Sequence, residues 1–260
     1  MLDIETEYYE QSDIWSKDFE KDFAERERLK EIINLIPSGV KSILDVGCGN
    51  GAFINRLFGK YQRIVGLDIS QEALKHVKTE KILGSITQLP FEEKSFDLVT
   101  SLEVLEHLSQ EDFQKGILEL QRISKKYIIL TVPNEENLKR SLVKCPKCNF
   151  WFYPFFHLRS FNKKELKKTF NNFSLREIKE IGPVTHSYPS FLIAFSHFLR
   201  KPLPLTTSIC PRCGYQSKQI KEGGSFEKKN SLSDKIKSLI KIFFPRKKKP
   251  RWLLALYQRN

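Results

Sequence analysis

The sequence predicts an α/β fold with a Rossmann-like, mostly parallel sheet of seven strands and helices on both faces. Three observations support this fold class. The chain has 260 residues, which is enough to bury one large core. Short apolar runs alternate with amphipathic segments from residue 42 onward, as in a sheet whose strands are joined by helices. A glycine-rich segment separates the first apolar run from the helix predicted to follow it.

The predicted elements follow from the spacing of apolar residues and from the residues that interrupt it. Apolar residues at helical spacing precede Pro37, so residues 1–37 are expected to form an N-terminal helical lid. Residues 38–260 then form the main domain, with insertions at 140–157 and 184–250. The predicted strands are 42–46, 63–67, 81–83, 96–101, 127–132, 174–181 and 252–257, and the predicted helices are 12–36, 51–58, 71–77, 111–123 and 163–170.

The most informative segment is 43–53, in which a predicted strand runs into glycines at positions 47, 49 and 51. Glycine allows positive φ and lets a ligand approach the backbone, and such a turn lies at the ligand-binding edge of a parallel sheet. The spacing also fits a dinucleotide-binding loop. Asp45 argues against that ligand, because a carboxylate beside the loop repels a pyrophosphate and attracts a cation. Asp68 ends the second strand, where an acid can accept hydrogen bonds from ribose hydroxyls.

Together these segments resemble the class I S-adenosylmethionine-dependent methyltransferases of the type 11 group. The resemblance rests on ILDVGCGNG at 43–51, VGLD at 65–68, GSI at 84–86, LPF at 89–91 and FDLV at 96–99. It implies that the methionine end of S-adenosylmethionine faces Asp45 and the glycine loop, and that Asp68 takes the ribose. Ser85, where the family often has Asp, and Ile86 would flank the adenine. The residues expected at the cofactor are Asp45, Gly47, Cys48, Gly49, Asp68, Ile69, Ser85, Ile86 and Ser101. A similar fold that has lost its ligand is the alternative.

A second group of polar residues follows the fourth predicted strand. On a helix, Glu103, Glu106 and His107 would share one face, because they are three and four residues apart. Two carboxylates and an imidazole form a donor set suited to Mg²⁺ or Mn²⁺. The pattern resembles that of ubiquinone-pathway O-methyltransferases and of small-RNA enzymes that methylate the 3′-terminal ribose, where a later histidine, here His157, completes a metal site. These four residues are the predicted catalytic set, as metal ligands or with a general base; a purely structural role is the alternative.

Four of the five cysteines form two Cys-Pro-x-Cys pairs, Cys145 with Cys148 and Cys210 with Cys213. Four thiolates match a closed, tetrahedral structural zinc site. Each pair follows a strand expected to end at the ligand-binding edge of the sheet. We therefore expect zinc to join the two insertions into a cap over the active site, with the aromatic stretch at 150–156 lining the cap or packing within it. A redox dithiol, an iron–sulfur cluster and idle thiols are the alternatives.

The net charge of +13 is concentrated near the end of the chain. Residues 234–244 place their apolar side chains on one helical stripe, and the basic run 246–249 follows. Such a segment suits an anionic membrane surface. A solvated charged face is the plain alternative, and nucleic acid is the less favoured partner. No export signal or bilayer-spanning run is evident, so we expect a cytoplasmic location with peripheral contact at the inner membrane surface.

These observations predict an S-adenosylmethionine-dependent methyltransferase that methylates an oxygen of a hydroxylated small molecule, a glycan or a lipid-linked acceptor. One alternative is an RNA methyltransferase that uses the zinc cap and the basic tail. Another is a non-catalytic protein that binds the cofactor, or a partner, through its zinc module.

Overall fold

The computed structural model describes residues 4–15, 22–187, 208–216 and 247–260 of the chain. The strands are β1 (Ser42–Val46), β2 (Arg63–Asp68), β3 (Glu80–Leu83), β4 (Phe96–Leu102), β5 (Ser124–Pro133), β6 (Val143–Lys144), β7 (Trp151–Phe152), β8 (Phe173–Ser187) and β9 (Lys247–Arg259). The helices are α1 (Ile4–Tyr9), α2 (Ser12–Trp15), α3 (Phe23–Asn34), α4 (Gln71–Leu74), α5 (Gln110–Ile123) and α6 (Lys163–Leu166).

Seven strands form one sheet in the order β3-β2-β1-β4-β5-β9-β8, which confirms the predicted Rossmann-like fold. The first five strands are parallel, and β9 pairs antiparallel with both β5 and β8. The chain leaves β1 toward β2 on one side and returns to β4 on the other side. This reversal leaves a crevice at the carboxyl ends of β1 and β4, where open α/β sheets bind ligands. The hairpin of β6 and β7 lies outside the sheet.

Both faces of the sheet are buried. Successive side chains of a strand point to opposite sides, so neighbouring residues of one strand pack in different clusters. In β1, Leu44 packs in a core cluster that contains Leu120 of α5. Its neighbour Ile43 packs in a second cluster that contains Ile32 of α3. All four side chains are completely buried. Helices therefore cover both faces, as the sequence predicts.

The first predicted helix, 12–36, is broken. One helix ends at Trp15, and the next begins after Asp22. The Asp22 carboxylate accepts hydrogen bonds from two backbone N–H groups of the following turn, which starts a new helix at that point. Residues 16–21 lie outside the described part of the chain.

The predicted helix at 51–58 is reduced to one 3₁₀ turn at Ile54–Leu57. Gly51 has a φ of +77°, which a right-handed helix excludes. The Asn55 side chain also bonds away from the turn, to the carbonyl of His76 at 3.0 Å. The apolar spacing predicted a helix here because the spacing carries no information on the positive φ that the glycine loop imposes.

The last two strands of the sheet are longer than predicted. Beyond the predicted strands, Val184–Ser187 pairs with Lys247–Pro250. Both ends of the proposed insertion 184–250 therefore continue the sheet as β8 and β9. Lys249 is not a freely solvated charge, because its Nζ lies 2.9 Å from the carboxylate of Glu135.

The predicted apolar stripe at 234–244 lies outside the described residues, as do 188–207 and the rest of 217–246. Its membrane contact therefore stays a prediction. Within the described ranges, no helix combines the length and the apolar character needed to cross a bilayer.

Candidate active site

The glycine loop turns at the carboxyl end of β1 and folds back onto the end of β2. The N–H groups of Gly47 and Cys48 donate to the carbonyl of Leu67, over 2.7 and 3.0 Å. Gly47 has a φ of +75°, and a Cβ built there would lie 2.3 Å from the side chain of Val104. Only glycine fits this position, so the loop can pass close to the segment that follows β4. The Cys48 side chain packs in the core on the α3 side.

Asp68 holds the other side of the loop. Its Oδ2 accepts a hydrogen bond from the N–H of Gly49 at 2.7 Å, and its Oδ1 accepts one from the N–H of Ser70 at 2.9 Å. Burial raises the pKa of Asp68 above its ordinary value, although these N–H groups act in the opposite direction. Ile69 follows and is partly exposed. The loop amides are thus used within the protein, whereas a phosphate-binding loop presents them to its ligand.

Asp45 is the innermost acid of the loop and is 1 % exposed. Its Oδ1 accepts a hydrogen bond of 2.6 Å from the hydroxyl of Thr100, on the neighbouring strand β4. Burial raises the pKa of Asp45 to about 7; the Thr100 hydrogen bond opposes this rise and the charge of Asp68 adds to it. A cation bound beside such a carboxyl would favour its ionised form.

The loop after β3 contains the two residues predicted to flank an adenine. The hydroxyl of Ser85 lies 2.8 Å from that of Thr87, and its oxygen also accepts a hydrogen bond from the Thr87 N–H. Ile86 is buried in the core cluster beside α5, close to Gly116. Ser85 therefore shapes the loop, and the Ile86 side chain belongs mainly to the core.

Four buried side-chain oxygens without a hydrogen-bond partner lie together at the end of β4. They belong to Ser101, Glu103 and Glu106, and among the described residues Ser95 has the one other atom of this kind. Buried polar atoms are nearly always paired, because an unpaired one costs free energy. This concentration beside Asp45 is the observation that most clearly marks a ligand site.

Glu103, Glu106 and His107 do not share a helical face, so the predicted arrangement is wrong. Glu103 has a φ of +58°, and the helical residues are limited to a 3₁₀ turn at Leu105–His107. The Glu103 carboxylate hydrogen-bonds Thr131 and lies near the guanidinium of Arg28. Burial raises the pKa of Glu103, and the Arg28 charge acts against this rise.

Glu106, His107 and His157 form a compact group without Glu103. One ligand atom from each lies within 4.8 Å of the others. The backbone brings His157 there, since the N–H of Leu158 donates to the carbonyl of Glu106 over 2.7 Å. Burial raises the pKa of Glu106 well above its ordinary value, and burial lowers the pKa of His107 to about 3. Both side chains therefore favour their uncharged forms in the absence of a ligand.

Sequence reasoning missed Glu136, which is the partner of His157. Its Oε2 lies 2.5 Å from Nδ1 of His157, and its Oε1 accepts a hydrogen bond of 2.5 Å from the Tyr153 hydroxyl. Burial would raise the pKa of Glu136, but the hydrogen bond and charge of His157 outweigh it, so the pKa is lowered. Glu136 follows β5 at the ligand-binding edge of the sheet, which is the one sequence signal that pointed to it.

The N-terminal segment 4–15 covers both parts of the site. The Trp15 ring lies on the glycine loop, where a Cβ built on Gly49 would be 2.9 Å from it. The hydroxyl of Tyr9 lies 2.9 Å from Nδ1 of His107. Neither aromatic residue was among the predicted site residues, because nothing in its local spacing links it to a site so distant in sequence.

The four paired cysteines converge, and their sulfurs all lie within 4.8 Å of one another. The Sγ atoms of Cys145 and Cys213 are 3.7 Å apart, and those of Cys148 and Cys210 are 3.6 Å apart. Four thiolates bound to one zinc at about 2.3 Å would be separated by about 3.8 Å in a tetrahedron. A disulfide requires about 2.05 Å. The geometry therefore fits a closed zinc site.

The two cysteine pairs share one local turn. In each, the N–H of the residue after the second cysteine donates to the carbonyl of the first, over 3.0 Å at Asn149 and 2.9 Å at Gly214. Both residues have positive φ, 58° and 66°. The same turn built from two separate segments indicates paired metal knuckles.

Residues 44–130 match the family model of a methyltransferase domain. An uncharacterized protein from Methanocaldococcus jannaschii is 40% identical over 100 residues, which are 37% of this chain and 42% of that protein. The tRNA (carboxymethyluridine(34)-5-O)-methyltransferase of Arabidopsis thaliana is 32% identical over 127 residues, 46% of this chain and 31% of that protein. The alignments thus span less than half the length of these relatives.

A crystal structure of an S-adenosylmethionine-dependent methyltransferase from Thermotoga maritima superposes with a TM-score of 0.54 at 16% identity, covering 100% of each chain. At this identity the likeness establishes the fold alone. The match to the methyltransferase-domain model is confined to residues 44–130, which contain the glycine loop, Asp68 and Glu106.

Replacing Asp45 with Asn should stabilise the unliganded protein at neutral and alkaline pH. Because the folded pKa is about 7 and the unfolded value is about 4, the folded state holds an extra proton between them, and its stability falls as pH rises through this window. Asn cannot ionise, so the variant does not lose stability across this window. Its free energy of unfolding should therefore exceed that of the unsubstituted protein by at most about 4 kcal/mol near pH 8. Urea denaturation across this range measures it.

Asp97→Asn is the matched control of opposite sign. Burial acts to raise the pKa of Asp97, but the N–H of Lys41 and the ammonium of Lys126 lower it overall. Its carboxylate therefore adds stability above its unfolded pKa, which is lost as pH falls through the folded value. Asp97→Asn should be less stable than the unsubstituted protein at neutral pH. An Asp45→Asn variant with no gain near pH 8 would contradict the burial argument.

Proposed function

We propose that the protein transfers a methyl group from S-adenosylmethionine to an oxygen of a hydroxylated acceptor. The supporting observation is the adjacency of two half-sites at one edge of the sheet. One is the acidic glycine loop, and the other is the group of Glu106, His107 and His157. The unpartnered oxygens of Ser101 and Glu103 lie between them in sequence. The Arabidopsis relative is by name a tRNA O-methyltransferase, which supports oxygen as the acceptor atom and RNA as the rival acceptor class.

The loop suits a cationic cofactor. When bound, S-adenosylmethionine supplies an electrophilic methyl group on a sulfonium. Asp45 offers a carboxyl whose pKa of about 7 lets a nearby positive charge ionise it. Asp68 takes the ribose hydroxyls, as an acid at the end of the second strand does in related folds. Because the amides of Gly47, Cys48 and Gly49 already donate within the protein, the loop is poorly suited to a phosphate.

Asp68→Asn should weaken S-adenosylmethionine binding about 10- to 100-fold, because the amide loses the charged acceptor of the ribose hydrogen bonds. Calorimetry measures the affinity. Asp97→Asn is the control, since Asp97 is also a buried acid but lies at the opposite end of β4 from the site. Unchanged binding in Asp68→Asn would remove the ribose assignment.

Transfer of a labelled methyl group tests the acceptor class. The protein is incubated with S-adenosylmethionine and with separate small-molecule, glycan, lipid and RNA fractions. Label in a hydroxylated small molecule, glycan or lipid supports the proposal. Label in RNA favours the RNA methyltransferase, and cofactor binding without transfer to any fraction favours the non-catalytic protein.

The N-terminal segment acts as a lid in this proposal. Trp15 lies against the glycine loop, and Tyr9 contacts His107, so one short segment covers both half-sites. Opening admits the cofactor and the acceptor, and closing excludes water from the reacting groups. The lid thereby strengthens the electrostatic effect of the buried acids.

Glu106, His107 and His157 suit a divalent cation. Glu106 has two buried oxygens without partners, and His107 is held uncharged, as a metal ligand must be. With Glu103 outside the group, one carboxylate and two imidazoles favour Mn²⁺ over Mg²⁺. When bound, such an ion lowers the pKa of an acceptor hydroxyl. Without an ion, His157 is the residue that takes the hydroxyl proton.

Zinc-loaded protein should bind Mn²⁺, and Glu106→Gln should weaken that binding more than about 100-fold, beyond the usual effect of losing an outer-sphere partner. Calorimetry with Mn²⁺ measures this. Glu111→Gln is the control, because Glu111 is an exposed acid that pairs with Lys115 on α5. The metal proposal would be contradicted if both variants bound Mn²⁺ equally well, or if the unsubstituted protein did not bind Mn²⁺. Methyl transfer indifferent to Mn²⁺ would make His157 the base.

The cysteine cluster binds a structural zinc ion in this proposal, and the ion joins the two insertions. Elemental analysis should find about one zinc per chain. Cys210→Ser should abolish it, whereas Cys48→Ser should not, because Cys48 lies in the glycine loop and outside the cluster. A zinc content that survives Cys210→Ser would refute the site.

A further inference from the structure

His157 has partners outside the group that it forms with Glu106 and His107. Its Nδ1 lies 2.5 Å from Oε2 of Glu136. Its ring stacks on that of Tyr153, with centroids 4.8 Å apart and planes at 10°. The Tyr153 hydroxyl donates to the second oxygen of the same Glu136 carboxylate, over 2.5 Å. Glu136 therefore holds the His157 imidazole through a hydrogen bond, and Tyr153 holds it through a parallel stacked ring.

We infer that Glu136 and Tyr153 are positioning residues, which fix the tautomer and the ring plane of His157. A carboxylate at Nδ1 holds the proton on that nitrogen, so Nε2 is left free to bind a metal or to accept a proton. The parallel ring of Tyr153 restricts tilting of the imidazole, and its hydroxyl keeps the carboxylate in place. The inference rests on the proposed function for the role of His157 in the reaction.

The two positioning residues come from different parts of the fold. Glu136 follows β5, whereas Tyr153 and His157 belong to the first insertion, after β7. The pair of Glu136 and His157 is largely shielded from water, with side chains 25% and 15% exposed. A charge-assisted hydrogen bond is stronger there than at the surface. It therefore joins the insertion to the sheet at the point where His157 meets Glu106.

The neighbouring acid provides a matched comparison. Glu135 also follows β5, but its carboxylate pairs with Lys249 and is 57% exposed. Removing either carboxylate takes one negative charge from the same stretch of chain. Only the Glu136 change should alter His157.

The test is nitrogen NMR of the zinc-loaded protein at mildly alkaline pH, with the His157 signals assigned from a His157→Gln variant. In the unsubstituted protein, we expect a proton on Nδ1 and a bare Nε2. Glu136→Ala should move the proton largely to Nε2, which the free imidazole prefers. Tyr153→Phe keeps the stacked ring but loses the hydroxyl, so it should cause a smaller shift in the same direction. Glu135→Ala should leave the signals unchanged.

Affinity for Mn²⁺ is the second measurement. Glu136→Ala should weaken it about 10- to 100-fold, as loss of an outer-sphere carboxylate does, while Glu135→Ala should not. A His157 tautomer unchanged in both Glu136→Ala and Tyr153→Phe would overturn the inference. If Glu136→Ala does not fold, Tyr153→Phe decides alone. A tautomer that shifts in a protein that binds no Mn²⁺ would support the positioning role and defeat only the metal proposal.

Discussion

The burial of carboxyl groups at one edge of the sheet is the constraint on which the rest of the site depends. Asp45 is 1% exposed and Glu106 is completely buried, and burial raises the pKa of both. An ionised carboxylate out of water costs several kcal/mol unless a cation or hydrogen bonds compensate it. The guanidinium of Arg28 compensates part of this cost, since its charge opposes the rise in the pKa of Asp45 and of Glu103. Protonation relieves the remaining cost in the unliganded protein, and a bound cation would relieve it in the ionised form.

The glycine loop makes this selectivity possible. Positive φ at Gly47 and Gly49 directs the loop amides back onto the carbonyl of Leu67 and the carboxylate of Asp68. The loop that in related folds offers its amides to phosphate is here satisfied within the protein. The charged groups of the loop are then the buried acids Asp45 and Asp68. The same glycine spacing therefore occurs in loops that favour an anion and in loops that favour a cation. The placement of Asp45 indicates that this loop favours a cation.

The sequence predicted the features that local patterns encode. The sheet follows from short apolar runs that alternate with helical segments, and the loop and Asp68 follow from residues at fixed offsets. The paired cysteines follow from their Cys-Pro-x-Cys spacing after strands that end at one edge. Glu103 was misplaced because spacing of three and four residues resembles a helix even where positive φ breaks it. Glu136 and Tyr9 contact residues 21 and 98 positions away. Tertiary packing alone creates such contacts, so no periodic pattern in the sequence predicts them.

The four-cysteine module is connected to the group of Glu106, His107 and His157 through two adjacent residues, the last residue of β7 and the residue after it. Phe152 is buried with Cys145 and Cys210 in one cluster, while the next residue, Tyr153, stacks on His157. Neighbouring side chains in an extended segment point to opposite sides, so one segment serves both the metal knuckle and the imidazole. The second knuckle reaches the lid, where the Gln216 amide donates to the Gln11 side chain. A metal ion held by the four cysteines, as proposed, would therefore act on the geometry at His157 without contacting it.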